Sequence, residues 1–457
     1  MKIFKYTFLS LLMIVTMASC NSWINTDDAK INPNGGPDAP DNILLTQAML
    51  ALIQSQEGSA ARYANMFTQH FRGLARQHGG YDGYIMNSQN FSWSNEYQVA
   101  IHQLNFVIEK ATAASNRPQA GVAKLAKAWI LGTLTSLYGD IPFSQIDQFE
   151  TIKEPIFDDQ MTVVYPGVQA MLTEAIADLG QSGGISGSVL STAAGTAITS
   201  TANWIELAHT LKARFYLHTK DYTNAITEAG QGISATGNNF FAPHTEGERG
   251  LDVNMWFDFL EVQRAGDYGV NTSDKKSFLG EMLKVGGAKN NAKTNESARY
   301  ADIFTTNTDG DADGINTSGS LFGASAPFPL GTYEETQLIL AEAYIQQGNK
   351  ASALTALNNL RATLAAKYPA GTYTAYVDAD FATNADLGTE ILRERYVSLT
   401  GTLEVFADVR RTNNAIGLTP STGTQLPGRF LYPNAEAQSN TNTPTGGTLF
   451  DVLAVFR

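Results

Sequence analysis

The sequence lacks several features that would point to common classes of protein. It has one cysteine in 457 residues, which excludes an intrachain disulfide framework and a metal site built from several cysteines. Its 31 basic residues are outnumbered by 44 acidic ones, the net charge is −13, and no run of Lys or Arg interrupts that balance. A nucleic-acid partner needs a basic surface, so the composition argues against one and favours a neutral ligand over an anionic polymer.

Apolar residues are plentiful, at 43%, and most of them recur with the period of a helix. Caps and breakers delimit the expected helices at residues 41–56, 59–77, 95–114, 122–138, 163–179, 202–217, 222–233, 333–346, 351–365 and 389–410. Runs that alternate like β-strands are scarce. The sequence therefore predicts an all-α, solenoid-like helical scaffold interrupted by long, irregular loops.

Two segments resemble each other and predict helix pairs. Ala213-Arg214-Phe215-Tyr216 aligns with Ala341-Glu342-Ala343-Tyr344, and a turn residue follows each segment, at Asp221 and Asn349. Small alanines next to large tyrosines let two antiparallel helices pack closely. The pattern resembles tetratricopeptide repeats, although generic helix hairpins would also produce it.

The first residues have the features of a lipoprotein signal. Lys2 and Lys5 precede an apolar run at residues 8–17, which is too short to span a bilayer and fits a secretory signal. The following Ala18-Ser19-Cys20 resembles a bacterial lipobox, in which the cysteine is lipidated. We expect a signal peptide at 1–19, lipidation at Cys20, a Pro- and Gly-rich tether at 20–41 and one domain at 42–457. The alternative is an ordinary signal peptide with an incidental cysteine.

A further group of short motifs is spread over nearly the whole chain. Beside Cys20 and Asn32-Pro33-Asn34, the segments are Leu137-Tyr138-Gly139-Asp140-Ile141-Pro142-Phe143-Ser144, Phe157-Asp158-Asp159-Gln160, Ala208 to Tyr216, Thr332-Tyr333-Glu334-Glu335, Arg393-Glu394-Arg395-Tyr396, Val409-Arg410-Arg411-Thr412 and Leu426-Pro427-Gly428-Arg429-Phe430-Leu431-Tyr432-Pro433. Together they resemble the SusD/RagB family of nutrient-binding outer-membrane lipoproteins, in particular its SusD-like branch. Each piece is short, and their order and number make the match specific.

The resemblance implies a function as well as a fold. Members of this family are helical proteins of the cell surface that cover a SusC-like TonB-dependent transporter of the outer membrane. They capture oligosaccharides, or in some cases peptides, and perform no covalent chemistry. Two alternatives stay open: a surface glycoside hydrolase, since carboxylate pairs can lie far apart in sequence, and a tetratricopeptide-type lipoprotein that scaffolds envelope assembly.

Two aromatic, aperiodic loops are the predicted oligosaccharide site. A sugar ring needs a flat apolar face beside polar groups, and Tyr and Trp supply both. The residues expected to bind are Tyr81, Asp82, Tyr84, Asn87 and Trp93 in the loop at 79–93, and Trp256, Arg264 and Tyr268 in the loop at 238–273. We expect both loops on one face of the scaffold. The alternative is that the rings fasten the loops to the scaffold.

A metal site is predicted separately, although no cofactor is required for binding. Asp309, Asp311 and Asp313 stand at positions 1, 3 and 5 of a calcium-type loop, with Gly314 at position 6. Position 12 is Ser320 in place of the usual glutamate, so a complete EF-hand is not expected. A looser structural calcium site and a solvated acidic turn are the two interpretations.

Overall fold

A computed structural model describes residues 39–149, 151–247 and 252–457. The predicted signal peptide at 1–19, the predicted lipidation site Cys20 and most of the predicted tether at 20–41 lie outside the described residues. Within them, helices are joined by long loops and by strands of two to four residues, which confirms the predicted helical scaffold. None of the described helices combines the length and the apolar character that crossing a membrane requires.

The helices agree closely with the sequence pattern. In chain order they are α1 (Asp41–Glu57), α2 (Ser59–Phe67), α3 (Arg76–Asp82), α4 (His102–Ala113), α5 (Arg117–Tyr138), α6 (Tyr165–Leu179), α7 (Thr201–His218), α8 (Tyr222–Ala229), α9 (Met255–Phe257), α10 (Phe278–Leu283), α11 (Ser297–Ile303), α12 (Tyr333–Gln346), α13 (Lys350–Lys367), α14 (Asn384–Ser398), α15 (Glu404–Arg411) and α16 (Asn434–Ser439). Short π-helical segments lie at Asn95–Ile101, Gln160–Val164 and Asp258–Gln263.

The strands form antiparallel pairs that fasten loops to one another. The pairs are β1 (Arg72–Gly73) with β5 (Tyr268–Gly269), β2 (Ile141–Pro142) with β3 (Phe157–Asp158), β4 (Phe240–Ala242) with β9 (Phe328–Gly331), β6 (Thr294–Asn295) with β10 (Thr372–Tyr373), and β7 (Phe304–Thr306) with β8 (Ala312–Ile315). Each pair joins two segments that lie between helices in the sequence.

The two segments that resemble each other in sequence are helix hairpins with the same turn. Asp221 caps α8 by accepting a hydrogen bond from the Asn224 amide at 3.1 Å. Asn349 caps α13 in the same way, accepting from the Ser352 amide at 3.1 Å. These side chains satisfy amides that the first turn of a helix leaves unpaired. The predicted helix pairs are therefore α7–α8 and α12–α13.

The two hairpins are neighbours in space although a long segment separates them in sequence. Ala213, Ala225 and Ala229 of the first hairpin share a buried cluster with Ile339 and Ala343 of the second. The small alanine side chains allow this close packing. On the other side, α5 packs on α6 and α6 on α7, so the helices continue as an array.

Two helix predictions were wrong because the helix breaks inside the predicted range. The helix expected at 59–77 stops at Phe67, and β1 and α3 follow it. The helix expected at 389–410 is two helices, because Gly401 adopts φ +86° between α14 and α15. That backbone conformation ends a helix and is easily reached only by glycine.

Two motifs of the family resemblance pack against each other. Gly139 ends α5 with φ +93°. Beyond it, the Tyr432 hydroxyl donates to the Asp140 carbonyl at 2.8 Å, and the Phe430 amide donates to the Leu137 carbonyl at 2.8 Å. We refer to this junction of residues 137–140 with residues 428–432 as the long-range seam.

Arg429 completes the seam. Its guanidinium donates from Nη2 to the Tyr138 carbonyl at 2.7 Å and lies over the Tyr432 ring at 4.5 Å. The arginine thus satisfies a carbonyl that the end of α5 leaves without a helical partner.

Candidate functional site

A large cavity lies between the second helix hairpin, α12–α13, and the loop at 317–330. Its volume is about 1590 Å³, and we call it the Tyr333 cavity after the aromatic residue at the start of α12. The walls come from β4, α11, α13, the loop at 317–330 and the facing ends of α14 and α15. Pockets for small molecules usually measure about 300–1,000 Å³. The Tyr333 cavity therefore has room for a chain of several linked rings.

Four aromatic rings line this cavity and keep part of their surface exposed. They are Phe241, Phe257, Tyr333 and Tyr368, all of which are half-buried. Aromatic rings of this kind offer a flat apolar surface, and the two tyrosines add a hydroxyl group. This combination matches the C–H faces and hydroxyl edges of a pyranose.

Local structure fixes two of these rings. Phe241 sits in β4 opposite Pro329 of β9, so one strand pair places residues on two walls of the cavity. Phe257 belongs to α9, which buried Asn254 caps by accepting from the Phe257 amide at 3.1 Å. The Asn254 side chain also donates to the Ala326 carbonyl at 3.0 Å. The same asparagine therefore ties the backbone of Phe257 to another part of the cavity wall.

Asp302 is the centre of the polar part of the wall. Its carboxylate accepts from the Ser320 amide and the Ser320 hydroxyl, each at 2.6 Å, and from the Tyr368 hydroxyl at 3.1 Å. Burial, together with the neighbouring Asp302 carboxylate, raises the pKa of Tyr368. The tyrosine therefore stays protonated and donating, and its own oxygen lone pairs remain available to a ligand hydroxyl.

A second polar group stands where α12 begins. Asn239 accepts from the Tyr333 amide at 2.7 Å and donates to the Glu334 carboxylate at 2.8 Å. Thr332 caps the same helix by accepting from the Glu335 amide at 3.1 Å. The helix start is therefore rigid, and it holds Tyr333 and Glu334 at the cavity wall.

The charged groups deep in the cavity wall have their own partners. Arg214 donates twice to the Glu335 carboxylate, at 2.7 Å from Nε and 2.7 Å from Nη2. Burial alone would raise the pKa of Glu404, but His218 and Arg214 lower it to about 2. Both buried carboxylates are therefore paired with cationic side chains, and the lowered pKa keeps Glu404 ionised.

The aromatic residues predicted to bind sugar are buried in the core instead. Tyr81, Tyr84, Trp93, Trp256 and Tyr268 are between 0% and 9% exposed, and Asp82 is 3% exposed. Trp256 packs against Phe71 and Phe322 with ring centroids 5.5 and 5.2 Å apart. A buried ring has no free face for a sugar, so this part of the prediction is corrected: the rings fasten the loops.

The structure does bring the two predicted loops together. Strand β1, just before the first loop, pairs with β5 in the second, and buried His78 contacts the Asp267 carboxylate at 3.0 Å. Asn87 and Arg264 are the predicted residues that remain exposed. Their role as ligand contacts stays a prediction.

Some residues of the cavity lie in segments that the sequence had already singled out. Asn239, Phe241 and Phe257 belong to the second predicted loop, and Tyr333 stands in a motif that carried the family resemblance. The sequence therefore identified segments that contribute to the cavity. Within the second loop, however, it selected Trp256, which is buried, and not its neighbour Phe257, which lines the cavity. Tyr368 follows an ordinary helix and has no such signal.

The three aspartates of the predicted calcium loop do not converge. The loop is the turn between β7 and β8, where Asp311 lies 3.3 Å from the Lys276 ammonium and 3.5 Å from that of Lys284. Asp313 instead accepts from the Thr305 hydroxyl at 2.8 Å. Among the described residues, no group of three or more His, Cys, Asp or Glu side chains has the arrangement of a metal site. The arrangement gives a calcium ion no assembled ligand set.

A smaller cavity of about 440 Å³ lies beside Trp93, Tyr97 and Phe149. The Trp93 indole points its Nε1 toward the Glu436 carboxylate, 3.4 Å away. The same carboxylate accepts from Asn440 at 2.8 Å. This smaller cavity therefore has room for a much smaller ligand than the Tyr333 cavity.

Comparisons with protein families give two overlapping matches. The model of the SusD family matches residues 193–446, which is more than half of the chain. A SusD-like family described as starch-binding and associating with the outer membrane matches residues 33–243. No curated protein matches the chain.

Solved structures share the fold at low sequence identity. A SusD homologue from Bacteroides fragilis has a TM-score of 0.66 and 13% identity, over 91% of this chain and 100% of the other. A SusD homologue from Bacteroides uniformis has a TM-score of 0.66 and 16% identity, over 91% and 99%. A structure described as a chitin-binding protein has a TM-score of 0.63 and 18% identity, over 88% and 94%.

Proposed function

The chain belongs to the SusD family, and from that premise we propose that it is an oligosaccharide-binding protein whose ligand site is the Tyr333 cavity. The family match implies carbohydrate binding associated with the outer membrane. The observation that carries the site assignment is the cavity itself, which combines half-buried rings with the fixed polar groups Asp302, Asn239 and Glu334. Polyol ligands need this mixture of flat apolar surface and oriented hydrogen-bonding groups.

We further propose that the ligand is bound without covalent chemistry. A glycosidase needs a carboxylic acid with a raised pKa facing a second carboxylate across the scissile bond. At Glu404, one of the buried carboxyls of the cavity wall, the cationic partners shift the pKa in the opposite direction. The competing function, surface hydrolysis, predicts product sugars when the purified protein is incubated with oligosaccharides.

Delivery to a SusC-like TonB-dependent transporter is the partner proposal. It is supported by the family membership and by the lipobox-like sequence at Cys20, which would place the protein at the surface of the outer membrane by a lipid anchor. Affinity purification from the native membrane tests it. Recovery of a TonB-dependent barrel supports delivery, whereas recovery of barrel-assembly components without a transporter would favour an envelope scaffold.

The binding site is tested with a protein that starts after Cys20 and a glycan array followed by calorimetry. Tyr333→Ala removes a cavity ring and should weaken binding of the best array ligand by about 5- to 150-fold, as truncations of central interface rings do. Tyr344→Ala is the matched control, because Tyr344 is a half-buried tyrosine on the same helix and does not line the cavity. Equal affinities for the two variants would refute the site.

A further inference from the structure

Acidic and basic residues contribute unequally to the surface that the Tyr333 cavity presents to a ligand. Among the described lining residues, the deep charged groups are buried in ion pairs: Arg214, Arg299, Glu335 and Glu404. Closed pairs of this kind present little net charge to a ligand. The charge that a ligand meets therefore comes from lining residues nearer to solvent.

Those outer residues are mostly acidic. Glu246 is exposed, Asp302 and Glu334 are half-buried, and Lys367 is the cation that accompanies them on the wall. The Lys367 ammonium lies 5.2 Å from the centre of the Tyr368 ring. Among the described lining residues, the accessible part of the wall thus holds three carboxylates and one ammonium, on a chain whose net charge is −13.

The polar groups of the wall also favour ligands that donate hydrogen bonds. The carboxylates of Asp302 and Glu334 are hydrogen-bond acceptors held in place by Ser320, Tyr368 and Asn239. An acceptor fixed in this way can take a hydroxyl or an ammonium from a ligand, but it repels a carboxylate or a sulfate.

We infer that the Tyr333 cavity selects oligosaccharides that are neutral or carry amino groups, and that it rejects those carrying uronate or sulfate groups. This inference rests on the proposed function and adds the charge class of the ligand. Two unit charges about 4 Å apart in water interact by about 1 kcal/mol, which is roughly fivefold in affinity for each carboxylate met. An acidic unit beside two of them should bind more than tenfold more weakly than its neutral counterpart.

The first experiment uses an array of neutral, amino-bearing and acidic oligosaccharides, with the protein that starts after Cys20. Each neutral binder is then compared by calorimetry with the same oligosaccharide oxidised at C6 to the uronate, at low salt. We expect the oxidised form to bind at least tenfold more weakly, and the difference to shrink as salt is raised. Acidic oligosaccharides that bind as well as neutral ones would overturn the inference and leave the proposed function standing. Failure of every oligosaccharide to bind would overturn both.

The second experiment assigns the selectivity to the cavity. In the double variant Glu246→Gln and Glu334→Gln, the affinity of the oxidised form relative to the neutral form should rise about tenfold or more. The double variant Glu109→Gln and Glu174→Gln is the control, because it removes two carboxylates from exposed positions on α4 and α6, away from the cavity lining. A relative affinity that is the same in both variants would contradict selection by these carboxylates.

Discussion

Two adjacent aromatic residues give a direct test of which rings hold the fold and which face a ligand. Trp256 is 0% exposed, whereas Phe257 is half-buried and lines the Tyr333 cavity. Both belong to α9, and buried Asn254 caps that helix by accepting from both of their amides. Truncation of either ring to alanine changes the same short helix, so the outcomes can be compared directly.

The magnitudes follow from the contacts. Trp256→Ala removes a ring packed against Phe71, Phe322 and Tyr268, and such truncations cost about 3–5 kcal/mol of unfolding free energy. Its Nε1 finds no hydrogen-bond partner among the described residues, so losing the buried N–H offsets part of that cost, and we expect about 3–4 kcal/mol. An unfolding entropy of about 2.1 cal/mol/K per residue over roughly 400 residues converts this to a Tm lower by about 4 °C.

The assay measures the melting temperature and the oligosaccharide affinity of each variant. Trp256→Ala should lose stability and keep its affinity, and Trp256→Phe should recover most of the stability. Phe257→Ala should lose about 1–2 kcal/mol of binding free energy with a smaller change in Tm. If Trp256→Ala lost affinity at an unchanged Tm, or Phe257→Ala bound normally, the division between core and cavity would be refuted.

Three further predictions concern the anchor, the calcium loop and acid stability. Cys20→Ser should abolish metabolic labelling with a fatty acid, and equal labelling of the variant would contradict the lipobox. Because the carboxylates of Asp309, Asp311 and Asp313 do not converge, EDTA should leave the Tm unchanged; a calcium-dependent rise lost in the triple Asn variant would show a bound ion. The pKa of Glu404 is lowered to about 2 in the folded protein, so its stabilising contribution should be complete above about pH 4.5 and disappear as pH falls toward 2. Denaturant titrations across that range should show Glu404→Gln least stable relative to wild type near pH 7, and a constant difference would contradict the linkage.

Local sequence signals predicted the regular helices well. For α12, the sequence supplied a capping threonine, acidic residues in the first turn and an apolar period, and both ends were correct at Tyr333 and Gln346. The break at Gly401 was missed because an isolated glycine in a helical pattern is often tolerated. In the structure Gly401 has φ +86°, and its amide donates to Oδ1 of the distant residue Asn65 at 2.8 Å.

The candidate site was harder to predict because burial depends on distant residues. Composition identified the loop that contains Trp256 and Phe257, but the residues that cover Trp256 are Phe71 and Phe322, far away in the chain. Which of two neighbouring rings turns inward is decided by those long-range contacts. Tyr368 joins the cavity through Asp302 for the same reason, and no pattern near it in sequence could reveal this.

The long-range seam has a consequence for how quickly the chain folds. Each helix hairpin can form on contacts between near neighbours, which is a fast process. The seam instead joins the Leu137 carbonyl to the Phe430 amide, so nearly 300 residues must be synthesised between its two sides before it can close. Closing so long a loop carries an entropic cost that local contacts do not repay in advance. We therefore expect hairpins to assemble early and the seam to close late, which keeps the chain incompletely folded until the segment at 428–432 has emerged.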